Sequence, residues 1–103
     1  MSEKQIIVPT VGRKVWVRLN GALNVLRGTS PGFIHNVGYE PLDASITAVW
    51  GNRMINVAGF DAMGSTFAMN SVTLVQPGDP LPPAGSAYVE WMPYQVKTAE
   101  DGK

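Results

Sequence analysis

The chain has 103 residues, 45% of them apolar and 16% charged, and its eight basic side chains balance eight acidic ones. That is room for one domain with one core, and the missing net field excludes strong attraction to duplex nucleic acid or to a membrane surface. Cysteine is absent, which excludes disulfides, thiolate nucleophiles and cysteine-ligated zinc, suits a reducing compartment, and leaves no cofactor anchored that way.

Residues 1–12 read as an N-terminal arm. Met1-Ser2-Glu3-Lys4-Gln5 is polar, and the Ile6-Ile7-Val8 run behind it is too short for a signal core; no segment reaches membrane-spanning length. From Arg13 to Leu19 the chain alternates, with Val15, Val17 and Leu19 on one side and Lys14, Trp16 and Arg18 on the other, as a strand with one buried face does. Asn20 to Pro41 turns to Gly, Asn, Ser and Pro and reads as a long loop after the first strand, of a length that is often functional.

A three-strand meander follows. Ala44 to Trp50 is β-branched and aromatic, Gly51-Asn52 reads as a tight turn whose residues tolerate positive φ, and Arg53 to Phe60 is the returning strand. Asp61-Ala62-Met63-Gly64 places a side-chain acceptor at the start of a second turn and glycine at its end. In the third strand, Ser65 to Val75, the apolar residues Phe67, Met69, Val72 and Leu74 do not keep one phase, which predicts a bulge near Asn70-Ser71.

The prolines of Gln76 to Pro83 make that stretch an extended connector, and Ala87 to Trp91 supplies a short closing strand. The reading is one β domain over 13–95, a disordered tail over 96–103, and no convincing amphipathic helix. Its fold class is all-β: a small SH3-like barrel or five-strand meander sheet, with half of a β-sandwich completed by oligomerisation as the alternative. Ile46, Ala48 and Trp50 against Val49, and Ile55 and Val57 against Met54 and Phe60, make the central strands apolar on both sides. Such a sheet needs a cover, so the chain is expected to form a homo-oligomer.

The residues give little support to an enzyme. His35 is the single histidine, Glu40 with Asp43 and Asp61 with Asp79 are the only internal acids near turns, and no phosphate-cradling loop, nucleophile elbow or metal signature is present. No catalytic residue, metal or cofactor is therefore expected. The aromatic residues carry more information. Lys14, Trp16 and Arg18 place two cations beside an aromatic plate on one strand face, Arg53 is expected to approach from the neighbouring hairpin, and Trp91 and Tyr94 add flat surfaces. Such a group suits an anionic aromatic ligand such as a nucleotide. A solvated strand face covered by an amphipathic tryptophan is the plainer explanation.

Val49-Trp50-Gly51-Asn52-Arg53-Met54-Ile55-Asn56-Val57, Phe60-Asp61-Ala62-Met63-Gly64, Val75-Gln76-Pro77-Gly78-Asp79 and Glu90-Trp91-Met92-Pro93-Tyr94-Gln95 stand in order along the chain, after Gly12-Arg13-Lys14-Val15-Trp16. In these segments the chain resembles a family of small tailed-bacteriophage and prophage proteins, with Asn20 to Tyr39 idiosyncratic. The resemblance implies an origin rather than an activity. For a chain of that origin and these residues the expected role is a non-enzymatic binding protein in the host cytoplasm, a sponge for a signalling nucleotide or an inhibitor of a host protein. The alternative is a virion accessory protein, a capsid decoration or tail component.

Overall fold

The computed structural model describes residues 6–22, 24–27, 30–33 and 41–101. Its strands are β1 (Lys14–Arg18), β2 (Asn24–Arg27), β3 (Ser30–Phe33), β4 (Leu42–Gly51), β5 (Met54–Phe60), β6 (Thr66–Val75) and β7 (Tyr88–Glu90), followed by helix α1 (Pro93–Asp101). The order β6-β5-β4-β1-β7 runs through antiparallel neighbours, and the end of β6 then pairs in parallel with β7 through Leu74↔Val89 and Val75↔Glu90. The sheet thus closes on itself as a small five-strand, SH3-like barrel, the all-β class that alternation predicts. Closure removes the edges that β7 and the end of β6 would otherwise expose.

Period-two alternation turns Val15 and Val17 of β1, Leu42, Ala44 and Ile46 of β4, and Ile55 and Val57 of β5 into the barrel, all of them buried. Burial of a side chain of this size contributes about 1.5–3 kcal/mol. On β5 the outward positions Met54 and Phe60 stay exposed, so the second apolar side read from the sequence is uncovered among the described residues. Trp50 is exposed as well, at 64%, and does not belong to the core.

Both turns of the meander rest on local chemistry. At the second, Asp61 Oδ1 accepts from the amides of Met63 (2.9 Å) and Ser65 (3.0 Å), and Gly64 has a φ of +84°. That is the acceptor-first, glycine-last turn its residues predict. At the first, β4 extends through Gly51 and β5 begins at Met54, so Asn52 and Arg53 form the turn, one residue later than expected, and neither Gly51 nor Asn52 takes positive φ. The β4 ladder absorbs the difference through register shifts between Ile46 and Ala48 and between Val49 and Gly51.

The expected bulge is present. Ile55 pairs with Val72 and Val57 with Met69, which leaves Asn70 and Ser71 opposite the single residue Asn56. Ser71 adopts a φ of +52°, and its amide donates to Asn56 Oδ1 at 2.7 Å. The same oxygen accepts the Trp50 indole N–H at 2.9 Å, fixing an exposed ring on the outer surface.

Two expectations need correction, the loop and the tail. The long loop is not devoid of structure: β2 and β3 form a hairpin beside β6, joined to it at Leu26↔Ala68. Its proline, glycine and serine content conceals the pairing, since Pro31 and Gly32 lie within β3 and its partner register. The tail is not frayed from 96 onward but helical to Asp101. The arm is also tied down, because Ile7 is buried in the core while Val8 points outward.

The helix start has a physical cause. Pro93 occupies the first helical position, where a missing N–H costs nothing, and Gln95 reaches back so that its Oε1 accepts the Met92 amide at 2.8 Å. Gln95 Nε2 in turn donates to Lys14 O at 2.9 Å, which fastens α1 to β1.

Candidate functional site

β1 lies between β4 and β7, and the register sets Trp16 opposite Asp43 on one side and Glu90 on the other. Lys14 and Arg18 share its face, two residues before and after it. Each cation takes the carboxylate on its diagonal: Lys14 Nζ to Asp43 Oδ2 at 2.9 Å, and Arg18 Nε to Glu90 Oε2 at 2.7 Å. The Arg18 guanidinium also stands 5.3 Å from the centroid of the Trp16 ring, within range of a favourable cation–π contact. Trp16 is half-buried, so the strand face is a plate flanked by two ion pairs.

The two pairs differ in weight. Lys14 and Asp43 are about half exposed, at 45% and 52%, and such a pair contributes at most about 1 kcal/mol in water. Arg18 and Glu90 are more enclosed, at 31% and 26%, and the stacking on Trp16 adds to their mutual orientation. Together the four charges sum to zero. The expected cluster of Lys14, Trp16 and Arg18 is thus assembled, but with its positive charge compensated on the spot.

The other three candidates lie elsewhere. Arg53 does not join β1; its Nε and Nη2 grip Asp79 Oδ2 and Oδ1 at 2.7 and 3.2 Å, and the hydrogen bond to that carboxylate raises the guanidinium pKa above its ordinary value. Asp79 Oδ2 also accepts the Gln76 amide at 3.1 Å, so Arg53 braces the connector against the β4–β5 turn. Trp91 is buried in the core, 4% exposed, with Arg13 stacked 4.9 Å from its centroid, and offers no open ring. Tyr94 is exposed on the first turn of α1.

Sequence reasoning missed the two carboxylates that decide the electrostatics. Alternation assigns Lys14, Trp16 and Arg18 to one face, but which residues flank them depends on strand register, and Asp43 and Glu90 carry no local mark of it. His35 and Glu40 lie outside the described residues, and Asp61 is engaged by its own turn. Among the described residues no group of three or more His, Asp or Glu side chains is placed to hold a metal ion, and no helix is long and apolar enough to cross a membrane.

Glu90 also borders a second feature. A shallow, open cleft of about 220 Å³ lies between the connector, β7 and α1, lined by Val75, Gln76, Pro77, Gly78, Asp79, Leu81, Glu90, Trp91 and Val96. No protein-family model matches the chain, and no curated protein or solved structure matches it either.

Proposed function

We propose that this chain is a non-enzymatic binding protein of bacteriophage type that acts in the host cytoplasm by occupying a host protein through the β4–β1–β7 face. The observation that carries this reading is the half-buried Trp16 ring held between two internally compensated ion pairs. Aromatic and arginine side chains are the ones that concentrate binding energy at protein interfaces, and charge balance lets such a face meet another folded surface without a large desolvation mismatch.

Between the two ligand classes open to a sponge or inhibitor, protein is better supported than nucleotide. A nucleotide needs uncompensated cations and a pocket that encloses it. Lys14, Arg18 and Arg53 each hold a carboxylate, and the cleft is smaller than the roughly 300–1,000 Å³ typical of small-molecule sites. A self-associating virion accessory protein is the second reading, favoured by the uncovered Met54 and Phe60 on the outer side of β5 and by exposed Trp50.

Native mass spectrometry of the protein purified gently from phage-bearing cells tests these readings together. The expected result is a complex with a host protein that wild type retains and Trp16→Ala loses. A retained nucleotide-sized mass would replace the protein partner with a sponge's cargo. A ligand-free homo-oligomer, with the chain abundant in purified virions, would establish the accessory role.

A further inference from the structure

The cleft beside Glu90 is lined by two carboxylates, each already paired with an arginine outside the lining. Its ionisable side chains, Asp79 and Glu90, are both carboxylates, while Leu81 and Val96 supply apolar wall beside the buried Val75 and Trp91. The arginines that pair with these acids, Arg53 and Arg18, are not part of the lining. A volume of about 220 Å³ suits one side chain rather than a whole small molecule.

We propose that this cleft receives an arginine side chain from the protein that docks on the Trp16 face, a reading that rests on the protein-partner function above. The aliphatic stem lies along Leu81 and Val96, as the stems of long cationic residues do on apolar surface, and the guanidinium meets Glu90. A carboxylate offers about four lone-pair sites, enough to serve Arg18 and a second guanidinium. Asp79 is only 10% exposed and its charge is already answered by Arg53, so the handhold is Glu90. Glu90 is then shared: it orients Arg18 over Trp16 on one side and takes the partner's cation on the other.

The test is a titration of the intact chain with N-acetyl-arginine methylamide, followed in ¹H–¹⁵N spectra by the Trp91 indole N–H and the Gly78 amide. The neutral isostere N-acetyl-citrulline methylamide is the control. Saturable shifts of both signals are expected with the arginine compound, with affinity at least about tenfold above citrulline, a gap of about 1.4 kcal/mol. Glu90→Gln is expected to erase that preference. Leu81→Arg, which places a cation at the cleft in cis on an exposed position, is expected to abolish the titration while the remaining resonances stay in place. Equal shifts with both compounds, or none at these two signals, overturn the proposal. Trp16-dependent capture of a partner is measured separately, so that result would remove the cleft and leave the interface reading standing.

Discussion

Inside the barrel the Trp91 indole N–H donates to Gln76 Oε1 at 3.2 Å, and this contact is one of four made by a single buried amide. The same Oε1 accepts the Ile7 amide at 3.0 Å, while Nε2 donates to Ile7 O at 3.0 Å and to Asn52 O at 2.7 Å. One side chain therefore joins the N-terminal arm, the β4–β5 turn and the residue after β7. Gln76→Leu keeps much of the volume but strands an indole N–H, an amide N–H and two carbonyls, and an unsatisfied buried group costs about 1–3 kcal/mol. Allowing for rehydration of the turn, the loss expected from urea unfolding is roughly 3–5 kcal/mol. A loss below about 1 kcal/mol would show that the arm and turn hold without this amide.

Gly59 and Gly51 are expected to respond oppositely to alanine. A Cβ on Gly59 would sit 2.0 Å from Asp43 O and 2.8 Å from the Ala44 Cα, both backbone atoms that cannot swing aside. Gly59→Ala must part β4 from β5 where Ala44 pairs with Gly59, and a destabilisation above about 3 kcal/mol or failure to fold is expected. At Gly51 nothing lies within 4 Å of the added carbon and φ is not positive. Gly51→Ala is therefore expected to stay within about 0.5 kcal/mol of wild type in thermal unfolding.

At the β6 bulge, Ser71 holds a left-handed backbone that costs a non-glycine residue about 1–2 kcal/mol. Ser71→Gly relieves it at some expense in unfolded-state entropy, so a gain of roughly 0.5–1 kcal/mol is expected. Asn56→Ala acts the other way, since it removes the acceptor of both the Ser71 amide and the Trp50 indole. It is expected to destabilise by about 1–2 kcal/mol and to free the exposed Trp50 ring, visible as a change in its indole N–H resonance. If both variants leave the unfolding midpoint unchanged, the bulge carries no strain.

What was legible in the sequence was local. Alternation through Lys14–Arg18 gave the buried side of β1, the phase break at Asn70-Ser71 gave the bulge, and Asp61 with Gly64 gave the second turn, because each is decided by residues a few positions apart. The grip of Arg53 on Asp79 spans 26 positions, and the flanking of Trp16 by Asp43 and Glu90 depends on barrel closure. No window of sequence contains either. The helix escaped for a different reason: its cap is made by Gln95 rather than by a serine, threonine or aspartate, and nine polar-leaning residues give little periodicity to read.

Trp16 is the residue whose substitution separates fold from function. Its neighbours Val15 and Val17 are fully buried and carry the β1 packing, whereas Trp16 stands on the outer face against the Arg18 guanidinium. Trp16→Ala is therefore expected to leave a cooperative unfolding transition, weakened by about 1–2 kcal/mol through the lost apolar cover. Partner capture is expected to fall by at least about thirtyfold, the loss typical of an interface anchor worth 2 kcal/mol or more. Because Lys14 and Arg18 are already neutralised by Asp43 and Glu90, capture by wild type is expected to change little between low and physiological salt, unlike binding driven by bare cations. A steep fall of affinity with salt would mean that the ion pairs open on binding and would favour an anionic ligand such as a nucleotide over a protein. Loss of the unfolding transition itself in Trp16→Ala would instead make the tryptophan a structural cover for the barrel.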